Sequence, residues 1–91
     1  MRRAARVDQN QAEIVAALRA AGAYVWIIGL PVDILIGYKG RTVLAEIKRD
    51  SKARKTALQE DFFASWTGGT LVRIDRVEAA LRVLRMIDGT V

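Results

Sequence analysis

A single α/β domain, ordered α-β-β-β-α-β-α around a mixed four-stranded sheet, is predicted by three observations. Apolar residues at helical spacing alternate along the chain with short β-branched runs. Two of those runs, 32–38 and 41–48, flank Tyr38-Lys39-Gly40-Arg41 and read as a hairpin. A helix-length stretch then separates the third strand from the fourth, long enough for a crossover that makes those two strands parallel. The helices are expected to pack on the faces of the sheet.

Each element has its own signal. Asp8 is suited to cap a helix running to about Ala21, with Ile14, Leu18 and Ala21 as its apolar stripe and Gly22 as its terminator. Residues 1–7 read as a basic arm. Tyr24 to Ile28 is β-branched and aromatic, hence a strand, and Gly29-Leu30-Pro31 breaks it. The hairpin strands follow as about Val32–Tyr38 and Arg41–Lys48. Residues 49–55 form a charged loop. Thr56-Ala57-Leu58-Gln59 has the spacing of a capping box for a helix to about Trp66, ended by Gly68-Gly69. Thr70 to Ile74 is a short strand. Asp75-Arg76-Val77-Glu78 opens a last helix, with Val77, Leu81, Leu84 and Ile87 at helical spacing.

Composition narrows the chemistry. The 91 residues are enough for one domain with a modest core. No apolar run is long enough to span a bilayer and nothing indicates export, so no membrane partner and a cytoplasmic location are expected. The chain has no Cys and no His. Thiolate and imidazole metal centres are thereby excluded, as are Ser-His and Cys-His nucleophiles. Any hydrolysis must rely on carboxylates and lysine, and hard oxygen ligands suit Mg²⁺ or Mn²⁺. The net charge of +5 favours an anionic partner such as nucleic acid.

The hairpin gives this chemistry a place. With the turn centred on Lys39-Gly40, counting outward sets Asp33 opposite Glu46, and strand alternation puts Lys48 on the face of Glu46. A solvated cross-strand salt bridge is the plainer reading of these three residues. Like charges set directly opposite are destabilising, however, and a cation between them relieves that repulsion. Held by Asp33 and Glu46, a divalent ion would activate water for phosphodiester hydrolysis, with Lys48 orienting that water or stabilising developing charge. Basic residues gather beside this end: Arg49, Lys52, Arg54 and Lys55 just after it, and Arg3 and Arg6 at the N-terminus. These are the candidate phosphate contacts. Tyr24 and Trp26 alternate on their strand and read as core or interface residues.

The element order, with Asp33, Glu46, Ile47 and Lys48, resembles the PD-(D/E)xK nuclease superfamily, the restriction-endonuclease-like fold. Within it the chain looks most like small stand-alone VRR-NUC nucleases and archaeal Holliday-junction resolvases. The resemblance covers nearly the whole chain, from Glu13 to the last helix. It implies an Mg²⁺- or Mn²⁺-dependent DNA endonuclease acting as a homodimer on branched DNA. It also implies the Ile47 carbonyl as a third ligand and Glu13 of the first helix as a further one. Gln59, in line with Phe63 and Trp66, would contact the catalytic water or a phosphate. The chain departs from the motif in one respect: Val32 separates Pro31 from Asp33, so a bulge there would re-aim the acid. The rival expectation is a catalytically silent nucleic-acid-binding module, or a subunit of a larger nuclease assembly.

Overall fold

The computed structural model describes residues 3–48 and 57–90, with side chains described from Asn10 to Lys48 and from Ala57 to Gly89. The elements are α1 (Arg3–Ala20), β1 (Tyr24–Ile27), β2 (Ile34–Tyr38), β3 (Arg41–Ile47), α2 (Ala57–Ser65), β4 (Thr70–Ile74) and α3 (Val77–Thr90). The sheet runs in the order β1-β2-β3-β4. The first three strands form an antiparallel meander, and β4 lies parallel to β3. The mixed α/β architecture is therefore the expected one.

Local chemistry explains the joints. α1 ends in a Schellman motif: the Ala23 amide donates to the Leu18 carbonyl at 3.0 Å and the Gly22 amide to the Arg19 carbonyl at 3.0 Å. This closure needs a left-handed residue, and Gly22 supplies it with φ of 101°. Lys39 and Gly40 both have positive φ, 49° and 80°, as a two-residue hairpin turn requires. Tyr38 consequently pairs with Arg41, and the register continues to Ile34 opposite Ala45.

The core lies on one face of the sheet. Ile14 and Leu18 of α1, with Leu84 and Ile87 of α3, pack over the strand residues Ile34 and Ile36. The other face is thinly covered. No residue of α2 is fully buried, and Phe63 meets that face through the Arg73 guanidinium, 4.8 Å from its ring centre.

Two helix starts differ from expectation. α1 begins at Arg3 rather than after Asp8, so residues 3–7 belong to a helix and not to an arm. Ala4, Ala5 and Arg6 are strong helix formers and carry it through Asp8. At α3 the Ala80 amide bonds the Arg76 carbonyl, which puts Arg76 at the cap position. Asp75 instead holds the Arg76 guanidinium at 3.2 and 3.3 Å.

Candidate functional site

The acids meet where β2 and β3 leave the hairpin. Asp33 is fixed on several sides by the backbone. Its amide donates to the Ala45 carbonyl at 3.1 Å, and its carbonyl accepts from Ile28 at 2.9 Å and Gly29 at 3.2 Å. Residues 31–33 form a bend outside β2, so the backbone is irregular at Val32, where the sequence departs from the motif, and Val32 itself is wholly buried. The Asp33 carboxylate faces β3: Oδ2 accepts a 2.7 Å hydrogen bond from the Ile47 amide.

Glu46 and Lys48 are the two buried charged residues among those described, 3% and 6% exposed. Lys48 Nζ lies 3.4 Å from Glu46 Oε2. Glu46 Oε1 is buried and has no hydrogen-bond partner among the described residues. Burial raises the Glu46 carboxyl above its ordinary value, and the neighbouring Asp33 charge raises it further; Lys48 and Arg73 pull the other way. Burial also raises Asp33, opposed by the Ile47 hydrogen bond and the Lys48 charge. The three hairpin residues therefore come together as their spacing indicates, with the acids resisting ionisation.

The other expected participants differ in where they lie. Glu13 is exposed on α1, and no three His, Cys, Asp or Glu side chains cluster to hold an ion among the described residues. The first-helix carboxylate is thus not brought to the pair. Gln59 is half-buried on α2, one turn before Phe63. Trp66, expected to continue that stripe, lies just past α2 and is exposed. Arg49, Lys52, Arg54 and Lys55 lie outside the described residues, as does the Thr56 cap. Arg3 and Arg6 fall in the first turns of α1, and their side chains are likewise outside the described part. No described helix is long and apolar enough to cross a membrane.

Two residues join the site that sequence reasoning missed. Asn10 Nδ2 donates to the Lys48 carbonyl at 2.8 Å, tying α1 to the end of β3. Its position four residues before buried Ile14, on the helix expected after Asp8, was the available signal. Arg73 pairs with Glu46 in the parallel register and adds a cation beside it.

No family model, curated protein or solved structure matches the chain. The donor set must therefore be judged on its own chemistry. Two carboxylates and a backbone carbonyl are oxygen ligands suited to Mg²⁺ or Mn²⁺, and Mg²⁺ commonly takes only one or two carboxylates beside water and substrate phosphates. The unpartnered Glu46 oxygen is the atom that such an ion would satisfy. The residues fit the group.

Proposed function

We propose that this protein is a divalent-cation-dependent endonuclease that hydrolyses DNA phosphodiesters, with branched or otherwise structured DNA as its preferred substrate. The observation that carries the reading is Glu46: a buried carboxylate beside a second acid, with one oxygen unpartnered and a buried lysine at 3.4 Å. A fold gains little from such a group, because burying a charge without full hydrogen bonding is costly. The resemblance to PD-(D/E)xK nucleases supports the same reading, and so does the net charge of +5.

Asp33 and Glu46 would hold the cation together with the Ile47 carbonyl. When bound, the ion would supply Lewis acidity toward the phosphate and an acidified water. Ile47 serves twice, since its amide already holds the Asp33 carboxylate in place. Lys48 brings a fixed positive charge next to Glu46, placed to orient the attacking water or to stabilise charge on the phosphate oxygens. Asn10 steadies the backbone carrying that lysine. A two-fold dimer presenting two such sites to a junction is part of the proposal by resemblance, and sedimentation at micromolar concentration tests it.

One observation favours a second reading. Asp33 already has the Ile47 amide and Glu46 already has Lys48 as internal partners. A domain that binds nucleic acid without cutting it would also keep such pairs. Labelled branched and linear DNA incubated with Mg²⁺, Mn²⁺ or EDTA separates the two. The enzyme cuts only with metal and loses cutting in Glu46→Gln; cutting absent from every substrate leaves the silent binding module.

A further inference from the structure

Tyr24 and Trp26 are 62% and 58% exposed, and both project from β1 on the face opposite the core. Buried Val25 between them points the other way, to the helices. Their rings are nearly parallel, 11° apart in plane, with centres separated by 6.4 Å. This pair shares its sheet face with the acids. Trp26 pairs with Leu35 and Leu35 with Leu44, and Leu44 stands two residues before Glu46 on β3. Two strand spacings and two residue steps put Trp26 about 12 Å from Glu46 in the plane of the sheet.

We propose that Tyr24 and Trp26 form a stacking platform for unpaired bases next to the phosphate that is cut. The inference rests on the nuclease reading and names its substrate feature: a single-stranded segment, such as the opened arm of a branched DNA. Parallel rings on a sheet suit successive bases, one per ring. Half-buried Leu35 and Leu44 give an apolar floor between platform and acids.

The alternative occupant is a second copy of this chain, and the edge of β1 argues against its joining there by strand addition. β1 is the outer strand of the sheet. The Arg19 guanidinium reaches from α1 to donate a 2.8 Å hydrogen bond to the Val25 carbonyl. That bond caps a carbonyl of the edge strand and sets a cation there, both unfavourable to strand addition. The same guanidinium, exposed at the edge of the strand that carries both rings, instead offers a cation to the phosphates of a strand laid along β1.

The test uses the whole chain in EDTA, so that binding is read without cleavage. In Trp66→Phe, Trp26 is the one remaining tryptophan. Titration with a short oligothymidine is expected to quench its fluorescence. Anisotropy of the labelled oligothymidine is expected to show Trp26→Ala weakening binding roughly five- to hundredfold, Tyr24→Ala doing likewise, and Trp26→Phe retaining most of it. Circular dichroism checks that these surface variants fold. Unchanged affinity in both alanine variants overturns the proposal. So does a dimer that Trp26→Ala converts to monomer while oligothymidine affinity holds, since the patch is then a protein interface. Cutting measured alongside binding separates this idea from the nuclease reading. Ring-dependent binding without metal-dependent cutting sinks only the nuclease reading; cutting with ring-independent binding sinks only the platform.

Discussion

Lys48 Nζ sits 3.4 Å from Glu46 Oε2, with both side chains more than nine-tenths withdrawn from solvent. Removing one member of so enclosed a pair leaves the other uncompensated, a loss of about 3–5 kcal/mol for buried ion pairs. Lys48→Met is therefore expected to lower unfolding free energy in urea by about 3 kcal/mol. Adding Glu46→Gln to it should recover much of that loss, because the orphaned charge is gone. Strictly additive losses in this double-mutant cycle would show that the two residues do not interact.

The raised carboxyls give the metal-free protein an unusual pH response. Burial lifts Glu46 above 4.5 and Asp33 above 3.8, so the folded state holds these protons more tightly than the unfolded chain. As pH climbs from those ordinary values through the folded-state values, the folded protein carries more protons and stability falls. Below the window the cost is absent; above it the cost is complete. In chelator, urea midpoints should decline from mildly acidic to neutral pH, and Glu46→Gln should flatten that decline. An equally steep decline in the variant would place its source elsewhere. Mg²⁺ or Mn²⁺ should raise the neutral midpoint of the wild type by binding the folded state.

Much of this was legible in the chain because the informative signals are local. The Lys39-Gly40 turn sets the register, and from the register follows the meeting of Asp33, Glu46 and Lys48. Gly22 marks the end of α1 through a requirement on one residue's φ. What the sequence concealed depends on contacts between distant elements. Asn10 reaches Lys48 only because α1 docks against the end of β3, 38 residues on in the chain. Arg73 reaches Glu46 only through the parallel register, which depends on how the crossover is wound. Glu13 shows the limit of resemblance: helical spacing sets it on the flank of the Ile14 and Leu18 stripe, where a solvated glutamate is expected, and it is exposed there.

Asn10 gives a test of positioning rather than chemistry. Its amide holds the Lys48 carbonyl and touches neither acid in the hydrogen bonds described. Asn10→Ala should cost about 1 kcal/mol of stability, the usual net value of one hydrogen bond. If Lys48 assists hydrolysis, the same change should lower kcat several-fold and leave KM nearly unchanged, since the backbone carrying the lysine is less constrained. Loss of stability with an unaltered kcat would reduce Asn10 to a structural tie.

Arg73 should tune the site through charge. It lies beside Glu46 in the parallel ladder and lowers the proton affinity of a carboxyl that burial has raised. In Arg73→Gln that opposition is lost, so Glu46 should hold its proton to higher pH. Because the proposed enzyme needs Glu46 ionised to hold a cation, the acidic limb of kcat/KM against pH should move upward. Excess Mn²⁺ should move it back, since metal and proton compete for the same oxygens. The contact with Phe63 is lost as well, so a general loss of activity is not diagnostic. Arg73→Lys keeps the charge but lacks the planar face of the guanidinium. If the lysine variant restores the pH limb while α2 remains loosened, Arg73 acts on Glu46 by its charge; if neither variant moves the limb, its proximity to Glu46 has no bearing on the reaction.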